Sequence, residues 1–466
     1  MRCLWKQHIC TNNNNTESSR LHQRSTMPRT IIHSATIFDG LKVHGNSTVV
    51  FDNAKGLIES ISSTTAGDQP RESDDALIDG SGCTVIPGLI DAHVHVHKLH
   101  LPDGVSPAEI TRQPLRAGVT TVCDMHGMPS HLHEIWHQAD EEMAEAKKHG
   151  HSGRVAMVDV KSSLLGATIK GGWPKPIVLG HNPSQELIEA TETWPNVTVE
   201  TAVDYVQSSK SQGAHYIKLM QEDCCSLAWE TGSIPSASME LQKALVEASH
   251  DNGLNVYAHA LSLDNTMSVL RAGVDGLTHT FCDQAPTEEL VDLYKKTGAC
   301  LMPTLAVVSS LTGEAQDDRD KFGEIGTKRG VIDEITRGII QTGANMGSAT
   351  VKLQHAWDSV RMLKRAGIDI VAGTDASLGL QGTAMGVSLW MELDQYVKRC
   401  GLTPAEALSS ATAVSARRFG FEDRGVVEAG KRADLVLVKG EPHIDIEHLW
   451  TGEGIVGVWK QGVRAG

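Results

Sequence analysis

The sequence predicts an α/β protein: a (β/α)8 barrel carrying a small β-sandwich-like domain built from both chain ends. Three observations predict it. Strand-like and helix-like runs alternate through the middle of the chain, short β-like runs without helices between them sit at both ends, and histidines recur at the ends of predicted central strands. At 466 residues the chain has room for one large and one small domain, since α/β barrels run to about 250 residues or more.

Residues 1–28 come first. The run Asn12 to Asn15, flanked by Ser, Thr and Arg, has no apolar stretch of signal-peptide type. A disordered extension is expected, with an organellar transit peptide as the alternative and Met27 as a second possible start. From Arg29, the segments Thr30 to Phe38, Ser47 to Phe51 and Gly56 to Ser60 read as short strands separated by Gly, Asn and Asp turns. Ala433 to Lys439 and Gly454 to Trp459 read the same way. Segments 29–83 and 419–466 are therefore assigned to one composite β-domain, chain ends commonly lying close together.

Segment 84–418 is the expected barrel. Strand-like runs fall at Thr84 to Val96, Val119 to Asp124, Arg154 to Val160, His215 to Met220, Leu254 to His259, Gly276 to His279, Ala299 to Pro303 and Ile368 to Gly373. Amphipathic stretches such as Met239 to His250, Glu288 to Lys296 and Val351 to Ala366 separate most of them. The long connections 161–199 and 309–350 are assigned to loops or short helices covering the site.

Composition narrows the function classes. No stretch approaches the roughly 18 uninterrupted apolar residues of a membrane span, so a soluble protein without a membrane partner is expected. A formal net charge of -15 argues against nucleic acid, which calls for a basic face, and leaves a small-molecule substrate as the expected partner. The nine cysteines lack metal-finger spacing and point to a reducing compartment, the cytoplasm.

The most informative local signal is Pro87-Gly88-Leu89-Ile90-Asp91-Ala92-His93-Val94-His95-Val96-His97. Alternation along a strand puts His93, His95 and His97 on one face, where two imidazoles can hold one metal. Four further candidates lie near the C-terminal ends of later predicted strands: Lys218 in Tyr-Ile-Lys-Leu-Met, His259 in Val-Tyr-Ala-His-Ala, His279 in Gly-Leu-Thr-His-Thr and Asp375 in Ala-Gly-Thr-Asp-Ala-Ser. In a barrel those ends converge on one mouth.

The order His-x-His, Lys, His, His, Asp over strands one, four, five, six and eight resembles the binuclear amidohydrolase superfamily of TIM-barrel metal-dependent hydrolases. Pro-Gly-Leu-Ile-Asp-Ala-His, Ala-Gly-Val-Thr-Thr-Val, Gly-Thr-Asp and Gly-Lys-Arg-Ala-Asp-Leu-Val are similar to its hallmarks, and the resemblance covers Arg29 to Gly466. The branch it is most similar to holds imidazolonepropionase-like proteins, Xaa-Pro dipeptidases and ochratoxinase. The resemblance implies two divalent metal ions, Zn2+ by preference. His93 and His95 with Asp375 would hold the more buried one and His259 with His279 the other, while Lys218, carboxylated by carbon dioxide, would bridge them as a carbamate. It further implies cleavage of an amide-like C–N bond in a dipeptide, N-acyl amino acid or cyclic amide by metal-activated water, with Asp375 as the catalytic proton shuttle. Relatives often form homo-oligomers, and the same is expected here.

His97 and His126, near the mouth, are candidate substrate contacts. After Lys218 the segment Gln221-Glu222-Asp223-Cys224-Cys225 replaces the small, glycine-rich stretch of the peptidase-like relatives and should alter the pocket. The two cysteines have no evident paired base and are assigned to packing or pocket lining. The Gly430-Lys431-Arg432-Ala433-Asp434 turn is assigned to stability. Competing readings are a lactone or ester hydrolase, a metal-dependent decarboxylase and a catalytically inactive barrel binding protein. A deaminase is disfavoured because Ala260, Leu261 and Ser262, rather than an acid, follow His259.

Overall fold

The computed structural model describes residues 28–63, 74–96, 107–180, 182–228 and 233–466. The expected N-terminal extension, save its last residue, and His97 lie outside the described residues.

Strands from the two ends of the chain share one sheet. From the N-terminal side come β1 (Arg29–Phe38), β2 (Val43–Asp52), β3 (Leu57–Ser62), β4 (Ala76–Asp79) and β5 (Cys83–Pro87). Central strands follow: β6 (Leu89–His95), β7 (Val119–Asp124), β8 (Asp159–Ser162), β9 (Ile217–Met220), β10 (Val256–His259), β11 (Gly276–Thr278), β12 (Cys300–Met302) and β13 (Ala376–Ser377). The chain closes with β14 (Leu435–Lys439), β15 (Ile455–Lys460) and β16 (Val463–Arg464). The terminal sheet runs β16-β15-β14-β5-β1-β2-β3, with β4 beside β1. Its apolar face buries Ile32, Ile37, Phe51, Val85, Leu435 and Trp459, contributed by both ends of the chain. The burial of that shared face is the driving force that joins segments from opposite ends of the chain.

The expected single strand from Thr84 to Val96 is two strands. Gly88 divides it, its N–H donating to the Asp434 carbonyl at 2.8 Å. A Cβ at Gly88 would stand 2.2 Å from Thr120 Oγ1, so only glycine lets the chain pass from the terminal sheet into the central one. On one side β5 pairs antiparallel with β14, Leu435 opposite Pro87; on the other, β6 pairs parallel with β7 and β13.

The central strands form two four-stranded parallel sheets, β13-β6-β7-β8 and β12-β11-β10-β9. Parallel strands covered on both faces read as continuous apolar runs, and Val119–Asp124, Ile217–Met220 and Val256–His259 are buried throughout. Isolated bridges flank the second sheet at both edges, Leu219 of β9 to Ala167 and Leu301 of β12 to Ile370, each partner lying outside the strands of the first sheet. The run Ile368 to Gly373, expected as the eighth strand, has only that isolated bridge, although Ala372 also accepts a bond from Ala92 N–H at 2.9 Å. Helices Met239–Asp251, Leu263–Ala272 and Glu288–Thr297 separate the later strands, each started by a serine or threonine that caps the first turn. Connection 309–350 holds helices Gln316–Lys328 and Glu334–Gln341, and connection 161–199 holds Lys175–Leu179 and Gln185–Glu192. No helix among the described residues is long and apolar enough to cross a membrane.

A charged cluster fastens the C-terminal segment to β8. Asp159 accepts from Arg424 and, at 2.8 Å, from Arg432, which also meets Asp434 at 2.8 Å. Burial alone would raise the Asp159 carboxyl, and the two guanidinium groups override it, holding the group well below the usual carboxylate range. The Gly-Lys-Arg-Ala-Asp turn thus contributes two members of a structural network, Arg432 and Asp434.

Candidate metal centre

His93 and His95 alternate along β6 and turn toward Asp375, which directly precedes β13. His95 Nε2 lies 2.9 Å and His93 Nε2 3.2 Å from Asp375 Oδ1. The Asp375 N–H donates to the His93 carbonyl at 2.8 Å, clamping the two segments. That approach requires Gly373, where a Cβ would stand 2.9 Å from the His93 Cβ. Asp91 assists from beneath, accepting from the Thr374 hydroxyl at 2.7 Å and its N–H at 3.1 Å.

The other half comes from β9, β10 and β11. His259 ends β10 and His279 follows β11, their ring centroids 4.6 Å apart, with His279 also 4.9 Å from His93. Lys218, buried on β9, donates to the Thr278 hydroxyl. Ligand atoms of His93, His279 and Asp375 all lie within 4.8 Å of one another, a group able to hold a metal ion. All six of His93, His95, Lys218, His259, His279 and Asp375 line one cavity of about 360 Å³, and His126 lines it too.

Backbone strain marks the same place. Asp375 (φ 60°), His279 (φ 73°) and Thr304 (φ 49°) occupy the left-handed region, which costs a non-glycine residue roughly 1 kcal/mol or more. Packing and hydrogen bonds hold them there: His279 N–H donates to the Met302 carbonyl at 2.8 Å, and the Thr304 hydroxyl meets His279 Nδ1 at 2.8 Å.

Electrostatics prepare the donors. Burial, reinforced by Lys218, pushes His93 down to about 3, and burial likewise depresses His259 and His279. Imidazoles that resist protonation keep a lone pair free for a cation. Burial alone would raise Asp375, but His93 first, then His95 and His279, hold it well below the usual range, so it stays ionised. Burial lowers Lys218 to about 7. A set of neutral imidazoles and a carboxylate suits a divalent cation such as zinc. His93 meets Asp375 through Nε2, while its Nδ1, on the other side of the ring, is buried with no partner among the described residues.

Glu222, in the segment expected to alter the pocket, is a functional candidate that sequence reasoning did not single out. It is fully buried, meeting His259 Nε2 at 3.2 Å and accepting from Cys224 N–H at 2.8 Å and Leu261 N–H at 3.1 Å. A carboxylate behind a histidine fixes which nitrogen carries the proton and leaves the other for a cation. The signal was present as an acid four positions beyond Lys218, but only the pairing of β9 with β10 brings it to His259. Cys224 is buried and pushed up to about 12, and the exposed Cys225 is raised by its bond to Asp223. Neither is poised as a thiolate, in keeping with packing roles. Tyr216 is core, its hydroxyl donating to the Asp124 carbonyl at 2.8 Å. At the cavity wall, His126 Nδ1 accepts from Gly166 N–H at 2.9 Å and its ring stands edge-on to Trp194 at 4.4 Å. Burial pushes it down to about 3, leaving a neutral ring protonated on Nε2.

Residues 84–465 match the sequence profile of the amidohydrolase family. The chain belongs to the amidohydrolase family. Among curated proteins it is similar to the imidazolonepropionase of Deinococcus deserti, 34% identical over 104 residues, 22% of this chain and 25% of that protein. It is also similar to the ochratoxinase of Aspergillus niger, 26% identical over 258 residues, 54% of this chain and 46% of that protein. The aligned stretches thus span between a quarter and a half of these relatives. In fold, this member of the amidohydrolase family resembles a Xaa-Pro dipeptidase crystallised with methionine in its active site, with TM-score 0.66 and 24% identity over 94% of this chain and 99% of that one.

Proposed function

We propose that this chain is a metal-dependent hydrolase that cleaves an amide-like C–N bond in a small molecule. The observation that carries the reading is the meeting of His93, His95, Lys218, His259, His279 and Asp375, drawn from distant segments, on one cavity. His93 and His95 with Asp375 would hold one divalent ion and His259 with His279 a second, zinc being the best match to this donor set. Lys218, its neutral amine adding carbon dioxide and releasing a proton, would supply two anionic carbamate oxygens between them. When bound, such ions polarise a carbonyl and make water acidic enough to deliver hydroxide near neutral pH.

The chain's own groups do the rest. Asp375, ionised at the floor of the cavity, accepts the proton of the attacking water on a carboxylate oxygen and returns it to the leaving nitrogen. Glu222 holds the His259 ring and Thr304 the His279 ring, so both arrive oriented. His126 contacts the substrate from the wall, and His97 is assigned the same role. Glu222 does not favour deamination: its oxygens are occupied by backbone N–H groups and His259, and it does not line the cavity. In architecture the reading takes the two parallel sheets, with the flanking bridges Ala167 to Leu219 and Leu301 to Ile370, as a closed (β/α)8 barrel that begins after Gly88, rather than at 84, and runs to 418. Segments 29–87 and 419–466 would form the small second domain.

Metal analysis of the purified protein tests the reading, with about two divalent ions expected per chain. Lys218→Ala is expected to lose most of the metal and activity, whereas Cys225→Ala, at an exposed thiol, retains both. Full metal content in the Lys218 variant would overturn the binuclear assignment.

A further inference from the structure

Whatever enters this cavity meets an apolar wall. Apart from the candidate ligands and His126, the lining among the described residues consists of aliphatic, aromatic and methionine side chains with proline, glycine and Ser377. Trp173 stacks on the His259 ring at 4.8 Å, placing an aromatic surface directly beside a candidate ligand. Leu227, Ile177 and Leu311 pack with Trp173 into one continuous apolar cluster. Lys218 and Asp375 are the charged residues of the described lining, and no arginine joins them. Both are committed to the centre.

We infer that the substrate is a neutral amide flanked by alkyl or aryl groups and bearing no free carboxylate. The inference rests on the hydrolase reading and narrows it, because dipeptides and N-acyl amino acids carry a carboxylate. Inside such a cavity that carboxylate loses its hydration and needs a compensating cation or several hydrogen-bond donors. Beyond the histidines and the two charged groups committed to the centre, the described wall offers only neutral donors, the Ser377 hydroxyl and the indole N–H groups of Trp173 and Trp194, and no further cation. A neutral chain or ring gains instead from burial against Trp173 and Leu311. A cavity of about 360 Å³ suits a small molecule of one ring and a short chain rather than a peptide segment.

The test is a matched pair: N-acetyl-phenylethylamine and N-acetyl-phenylalanine, alike except for the carboxylate, assayed on the full-length zinc-loaded protein. The neutral amide is expected to show a kcat/KM at least about tenfold higher. Equal or greater turnover of the carboxylate compound overturns the inference and assigns a cation outside the described residues to the site. If the metal-loaded protein cleaves neither, the hydrolase reading fails, and calorimetric binding of the same pair still decides: tighter binding of the neutral compound supports the apolar-site inference, equal or weaker binding ends it. Met346→Arg, at a half-buried position of the lining, gives a second arm. In the folded variant the carboxylate compound should gain about tenfold relative to the neutral one, and an unchanged ratio would show that the substrate's flank does not rest on this wall.

Discussion

At the scale of single residues the centre depends on groups that touch no substrate. Glu222 is the clearest. With both carboxylate oxygens satisfied and no exposure, it fixes the His259 tautomer through one 3.2 Å contact. Glu222→Gln keeps the shape but replaces an acceptor-only group with one that can present either an oxygen or an NH2 to the ring. The variant is expected to bind zinc about 10- to 100-fold more weakly while its circular dichroism stays native, measured by competition with a chromophoric chelator. Wild-type affinity in that variant would reduce Glu222 to a packing group. Thr304 holds the equivalent place behind His279, with a hydroxyl in place of a carboxylate and a backbone that carries strain to present it.

At the scale of elements, what matters is how closely β6 and the Gly-Thr-Asp segment approach. The Asp375 N–H reaches the His93 carbonyl only because residue 373 has no side chain. Gly373→Ala introduces a methyl 2.9 Å from the His93 Cβ and 3.0 Å from its backbone nitrogen, contacts that rigid strands cannot relieve cheaply. A loss of about 1–3 kcal/mol in stability is expected from denaturant unfolding, together with lost metal, since the two segments carry three of the candidate ligands. A variant of wild-type stability and metal content would show that the segments have slack the packing does not suggest. Gly88 acts by the same rule at the other end of β6, where the chain crosses between sheets against Thr120.

At the scale of the whole molecule, the two chain ends are joined by a shared apolar sheet face and by the Asp159 cluster, which links the start of β8 to the C-terminal segment. Asp159→Ala strands the buried Arg424 and Arg432 with reduced compensation. The expected cost is about 3 kcal/mol, read as a lower Tm, with the metal centre unchanged in the protein that remains folded. Equal stability would mean that Asp423 and Asp434 satisfy the two guanidinium groups by themselves.

Periodicity and residue order by themselves determined a great deal here. Most strands of both ends, most of the alternating centre and the helices at 239–251, 288–297 and 353–365 were legible because amphipathic spacing is a local property that survives into any fold burying it, whereas the short β4 and β16 were not, and the run expected at 154–160 is a strand only from Asp159. His93, His95, Lys218, His259, His279 and Asp375 were legible as candidates because strand ends can be found from pattern alone, and that pattern carried the family with it. Tertiary structure decided the rest. The division of the run 84–96 at Gly88 depends on Thr120 and Asp434, and the burial of Glu222 depends on which strand lies beside β9. The apolar character of the cavity depends on Trp173, Leu227, Leu311 and Met346, which come from connections with no strand-end signature. The physical reason is one of range: spacing along the chain fixes which face a side chain takes, whereas its neighbours, its hydration and its proton depend on chain segments that only folding brings within contact distance.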